Sequence, residues 1–194
     1  MRPTGGRSID RYLDSYNFSE FHSTRVRAAP EIVYRAVEEV TAGEIRWLRP
    51  LMAIRTFPAW LLRKRPQRPA SAPILEIATN ASFFYLAKEP PREIVVGTIG
   101  QFWKLTGGPP PTLARSPEAF LAFGDPAYAK AVMNFAVDDV GNGSTLLTTE
   151  TRIFTPQGHA RRWFSVYWRL ISPGSSLIRV GWLDAIKKRA EAGS

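Results

Sequence analysis

The alternation of apolar and polar positions changes period several times along this chain of 194 residues. The stretch FHSTRVRA alternates, with Thr24, Val26 and Ala28 on one face and Arg25 and Arg27 on the other, which predicts a half-buried strand. APEIVYRAVEEV follows, with Pro30 at a helix start and Val33, Ala36, Val37 and Val40 spaced for one helical face. A second helix is expected over about 43–55, strained or broken at Pro50. Residues 56–73 hold Pro58, Pro66, Pro69 and Pro73 among basic groups and read as an exposed basic loop. A short helix over 73–80 has Pro73 in its first turn.

The period then returns to two. SFFYLAKE and EIVVGTIGQFWKL read as strands parted by a turn at Pro90-Pro91. SPEAFLAF opens with Ser116 as N-cap and Pro117 as the first helical residue. YAKAVMNFAVDDV and STLLTTETRIF are strands joined by GNGS, a hairpin turn. From about Gly158 to Ala190 the chain is helical, with a kink expected at Pro173-Gly174. That helix is apolar over much of its circumference, through Trp163, Phe164, Tyr167, Trp168, Ile171, Ile178, Trp182, Leu183 and Ile186. So wide an apolar surface needs a partner on more than one side, and a curved sheet would provide it. Strands in a meander with segregated helices predict an α+β domain over 13–190, after a flexible tail over 1–12.

Composition narrows the chemistry. There is no Cys, so disulfides, thiolate catalysis and cysteine-based zinc sites are excluded. The N-terminus has no apolar signal-like core, and no apolar run approaches the roughly 18 residues of a membrane span; a soluble cytoplasmic protein is expected. Eleven Phe, six Trp and six Tyr supply flat side chains suited to an apolar cavity. The net charge of +9 is local. Residues 44–69 and 159–190 together hold 14 of the 26 basic residues and two of the 17 acids, leaving 12 bases against 15 acids elsewhere. That distribution predicts a basic surface rather than a generally basic protein.

The element order over about 18–190 resembles the START-like superfamily, also called helix-grip or SRPBCC, which includes polyketide cyclases. Three phrases carry the resemblance: HSTRVRAAPEIVYRAV, REIVVGTIGQFW and NFAVDDVGNGSTLLTTETRI. The resemblance implies a curved antiparallel sheet wrapped around a long C-terminal helix, with two helices after the first strand. It also makes the first and last strands neighbours. Members are carriers, lipid-transfer domains, cyclases or stress components, and fold alone does not choose among them.

Candidate chemistry is sparse. His22 shares the alternation of Thr24 and Val26; facing inward, it would need an orienting acid to act as a base. His159, among helix-start residues, reads as exposed. Two His without HExxH spacing make no metal site, and no cofactor is expected. Glu150 and Arg152 share a face of the last strand, where Arg25 and Arg27 would pair with Glu150 across the sheet. A catalytic Glu150 is the sharper alternative. Gly97 and Gly100 suggest a bulge or bend, because no helix follows them to cradle a phosphate.

The expected function is binding of a hydrophobic or amphipathic small molecule, lipid or polyketide-like, in an apolar cavity between sheet and helix. Its candidate lining is Val26, Ile94, Val96, Phe102, Met133, Phe135, Thr149, Thr151, Trp163, Tyr167 and Trp168. Val95, Ile99 and Trp103 are equally apolar on the opposite face, so the choice of face stays open. Trp163 and Trp168 are expected to be buried. Two other readings stand beside this one: a cyclase- or hydrolase-type enzyme using polar groups in the same cavity, and a basic membrane-peripheral protein without a ligand. Trp47, Phe57 and Trp60 among the arginines would give a weak contact with an anionic membrane. Nucleic acid is disfavoured because no recognition motif is present.

Overall fold

The computed structural model describes residues 6–45, 48, 71–104, 111 and 115–193. The helix expected over 43–55, the loop over 56–73 and the membrane-contact residues Trp47, Phe57 and Trp60 fall largely or wholly outside them. The described elements are α1 (Ser8–Tyr12), β1 (Phe18–Val26), α2 (Pro30–Glu39), α3 (Ile74–Ala81), β2 (Phe84–Glu89), β3 (Glu93–Gly100), α4 (Pro117–Ala122), β4 (Ala129–Asp139), β5 (Thr145–Phe154) and α5 (His159–Ala192). One antiparallel sheet runs in the order β1-β5-β4-β3-β2. The chain is α+β, with a curved five-stranded sheet and a long terminal helix against it. The first and last strands are neighbours, as expected.

Local chemistry accounts for several boundaries. Ser116 caps α4 by accepting a hydrogen bond from the Ala119 N–H at 3.2 Å, which satisfies a donor that the first turn leaves free. In the β4–β5 hairpin Gly141, Asn142 and Gly143 have φ of 79°, 54° and 65°, a left-handed run that glycine and asparagine tolerate best. β3 ends at Gly100 instead of continuing toward Leu105. A turn at Gln101–Lys104 then sends Phe102 and Trp103 toward α5. The terminal helix passes through Pro173 as one uninterrupted element.

The open choice of face is decided by what covers each side of the sheet. Ile94 and Val96 pair in register with Phe135 and Met133, and all four enter one core with Val26, Leu147 and Trp182, Leu183 and Ile186 of α5. α2 and α3 complete that concave side. Val95, Ile99 and Val132 lie on the convex side, beneath Ile9 and Tyr12 of α1 and Phe120 of α4. Both parities of β3 and β4 are apolar because both faces are covered. Gly97 belongs to this packing: a Cβ there would come within 2.6 Å of Leu86 Cδ1 and 3.1 Å of Phe120.

The N-terminal segment departs from expectation. Ser8–Tyr12, placed in the tail by its polarity, is a helix whose Ile9 and Tyr12 are buried. Five residues are too few to show a helical period, and isolated helices of that length are unstable. Tertiary contacts hold it: Tyr12 Oη donates to the Leu86 carbonyl at 2.6 Å, and the Ser8 N–H donates to Glu93 at 2.7 Å.

Candidate functional site

The interface between sheet and terminal helix has three zones, which follow one another along both β1 and α5. At one end Phe18, Ile153 and Ala131 meet Phe164, Tyr167 and Trp168, with Phe102 and Trp103 alongside. Most rings there pack tilted or edge-on, with Phe18 4.9 Å from Phe164 and 5.9 Å from Trp168, while Phe164 and Trp168 stack. At the other end lies the closed core around Trp182 and Ile186. Between them the interface is polar.

Period two builds the sheet's share of that middle. Glu20 and His22 occupy the same face of β1 as Phe18, Thr24 and Val26, opposite Thr151 and Thr149 of β5. Helical spacing builds the other share, since Ser175, Ser176 and Arg179 are three and four residues apart and so lie on one side of α5. Glu20 Oε1 and His22 Nε2 lie within hydrogen-bond distance, at 2.8 Å. The Ser175 hydroxyl donates to the other Glu20 oxygen at 3.0 Å, and Ser176 Oγ lies 3.2 Å from the same His22 Nε2. Thr149 is committed elsewhere, donating to the Asn134 carbonyl at 2.7 Å.

That geometry limits the chemistry. Glu20 and Ser176 meet one ring nitrogen. With its proton donated to Glu20, Nε2 cannot accept the Ser176 proton, so the serine is not an activated nucleophile. The other imidazole nitrogen would carry the lone pair. This supplies the orienting acid that a base at His22 requires.

Arg179 is the anomaly. Part of its side chain is open to solvent, but burial of the guanidinium end pushes it down to about 10, against the opposing pull of the Glu20 charge. It remains cationic at neutral pH. Among the described residues its contacts are the Met133 thioether, a weak acceptor, and the Trp182 ring at 5.6 Å. The Trp182 indole N–H beside it is buried with no acceptor among the described residues.

Of the eleven candidate lining residues, Val26, Ile94, Val96, Met133 and Phe135 face α5 within the closed core. Phe102, Tyr167 and Trp168 join the aromatic end, with Trp168 half-buried. Thr149 and Thr151 border the polar middle. Trp163 is corrected: it is 54% exposed and points away from the sheet, while its neighbour Phe164 is buried. Adjacent helical residues diverge by about 100°, and an all-round apolar pattern does not say which of two aromatics turns inward. Glu20, Ser175, Ser176 and Arg179 were not anticipated. The available signal was a period-two Glu-x-His on the inward face of a strand that begins with Phe18 and ends with Val26.

Glu150 is corrected as well. It lies opposite Phe21, not Arg25 or Arg27, and on the convex face. Arg152 holds it with two hydrogen bonds, of 3.0 and 3.2 Å, and also meets Asp10 at 2.7 Å and the Leu13 carbonyl at 3.0 Å. Asn134 donates to Glu93 at 2.6 Å and accepts from the Glu150 N–H at 2.8 Å. This network fastens α1 to the sheet. A cleft of about 390 Å³ nearby is lined by Asp10, Tyr12, Phe123, Asp125, Tyr128 and Lys130 among others. Burial pushes the Lys130 amine down, and it donates to the Leu121 carbonyl at 3.2 Å. Among the described residues no group of three or more His, Asp or Glu side chains could hold a metal ion.

No family model matches this chain, and no curated protein sequence does. Solved structures do align over most of its length. A conserved protein from Geobacillus kaustophilus is 11% identical with a TM-score of 0.46, covering 91% of this chain and 97% of its own. A protein from Thermus thermophilus is 9% identical with a TM-score of 0.35, covering 91% and 99%. CalU16 from Micromonospora echinospora is 13% identical with a TM-score of 0.29, covering 90% and 84%. Likenesses this remote carry no function, and the reading below rests on the site itself.

Proposed function

We propose that the protein binds an amphipathic small molecule between the concave face of the sheet and α5. Its oxygen-bearing head would sit at Arg179 and Trp182, and its apolar part would lie toward Phe18, Phe102, Tyr167 and Trp168. The carrying observation is the buried Trp182 indole N–H, which has no acceptor among the described residues, beside a guanidinium whose described contacts are a thioether and that ring. A buried unsatisfied donor costs about 1–3 kcal/mol, and more when charged. A bound carboxylate, enolate or phosphate oxygen would recover that cost in a charge-assisted hydrogen bond. The resemblance to START-like carriers and cyclases belongs with this reading, supported by the element order and the helix against the sheet.

Titration with anilinonaphthalene sulfonate, an apolar anion, tests it. Dodecanoate should displace the dye, and Arg179→Gln should weaken dodecanoate binding by on the order of tenfold, about 1.4 kcal/mol. Dodecanol, which has no charge to pair, should be nearly indifferent to the substitution. Equal dodecanoate affinity in the two proteins, or no displacement at all, would remove Arg179 as the anchor.

A second reading follows from the Glu20–His22 contact: acid–base catalysis on the bound molecule, with His22 as base. It requires turnover of some aryl ester or cyclisable ketone that is lost in His22→Gln and retained in Ser176→Ala. Loss in Ser176→Ala would contradict the geometry.

A further inference from the structure

The outer side of α5 carries a row of large apolar side chains that are mostly exposed. Trp163, Val166, Leu170, Leu177 and Val180 are each more than half exposed, Leu170 at 81%. Their spacing is three, four, then seven and three, with exposed Pro173 filling the gap, so they form one stripe along the helix. From Trp163 to Val180 it extends about 25 Å at 1.5 Å per residue. Single exposed apolar residues need no explanation, but a contiguous row of large ones marks a docking surface.

Charge identifies the partner. From His159 to Leu183 the helix contains no Asp or Glu, and exposed Arg162 and Arg169 flank the stripe. A second copy of the chain seated on it would set one acid-free, arginine-bearing segment against another, and Asp184 at its edge is already paired with Lys188 at 2.7 Å. Helix pairs that dock through such a seam use complementary flanking charges. An anionic bilayer suits both features, since it accepts apolar side chains at the depth of the acyl boundary and attracts the arginines beside them. No helix among the described residues is long and apolar enough to cross a membrane, so the helix would lie along the surface. We infer that the outward stripe of α5, Trp163 to Val180, docks the protein on anionic lipid bilayers. This surface faces away from the polar middle of the interface, and its test does not depend on what binds there.

Flotation with vesicles of phosphatidylcholine containing about a third phosphatidylserine, and with vesicles of phosphatidylcholine alone, reads the effect. The wild type should float with the anionic vesicles at low ionic strength and lose most of that binding near physiological salt, where the Debye length falls to about 8 Å. Leu170→Glu should reduce binding by tenfold or more while leaving the melting transition in place, because Leu170 touches little of the fold. Arg162→Ala with Arg169→Ala should reduce it by on the order of 25-fold, from about 1 kcal/mol per arginine. Equal flotation of Leu170→Glu and wild type, or none by the wild type at low salt, would overturn the inference. So would a concentration-dependent dimer that Leu170→Glu dissolves, which would assign the stripe to a second copy.

Discussion

Two polar clusters sit on opposite faces of the same sheet and were built under different rules. On the convex face Arg152 is nearly enclosed, and its donors reach Glu150, Asp10 and the Leu13 carbonyl. Asn134 and Glu93 extend the network until its charges and amides have partners. On the concave face Glu20, His22 and two serines satisfy one another, but Arg179 is left with a sulfur and an aromatic ring. A satisfied network rigidifies a fold; one with an enclosed donor left over stores a cost that a ligand can relieve. The difference is what marks the concave cluster as the candidate site. Glu150, the more conspicuous acid in the sequence, is structural, and the site gathers around residues that the pattern alone did not single out.

The comparison can be broken most directly by removing one arginine at a time. Arg152→Met should cost about 3–5 kcal/mol in urea unfolding, because it removes the guanidinium that pairs with the buried Glu150 carboxylate and with Asp10. It should also expose Arg7 and Arg11 to trypsin as α1 detaches. Arg179→Met should change stability by no more than about 1 kcal/mol and in the stabilising direction, since it deletes a partly buried charge that has no oxygen partner among the described residues. Equal costs for the two variants would abolish the distinction between the clusters. At intermediate size, Asn134→Ala should cost about 1–3 kcal/mol by removing the amide that donates to Glu93 Oε1 and accepts from the Glu150 N–H.

The smallest effect concerns pH. Burial alone would raise the Asp10 carboxyl, but hydrogen bonds from Arg152 and the Arg7 N–H outweigh it and hold the group below its ordinary value of 3.8. A carboxylate depressed in the folded state contributes stability that is present above its unfolded value and lost as pH falls through the lowered one. Acid unfolding monitored below pH 4 should therefore be shallower in Asp10→Asn than in wild type. At neutral pH the substitution should cost less than about 1 kcal/mol, because Asp10 is half exposed. A steeper acid limb in the variant would show that Asp10 does not report on the convex cluster.

The sequence by itself was enough for the order of the described elements from β1 onward, the Ser116 cap, the Gly-Asn-Gly hairpin and the α+β class, because each depends on periods of two or 3.6 and on backbone freedom of single residues. It also placed Val26, Ile94, Val96, Met133 and Phe135 on alternating positions, though not on a particular face. Tertiary structure decided that face, by laying α1 and α4 on one side of the sheet and α5 on the other. It decided that Ser8–Tyr12 is a helix, through contacts to residues some 75 to 85 positions away. It turned Phe164 inward and Trp163 outward, a choice between neighbours that one apolar pattern serves equally. And it brought Glu20 and His22 within reach of Ser175, Ser176 and Arg179, more than 150 residues later in the chain. Local periodicity records which side of an element is apolar; which elements meet is settled only when long-range packing closes the fold.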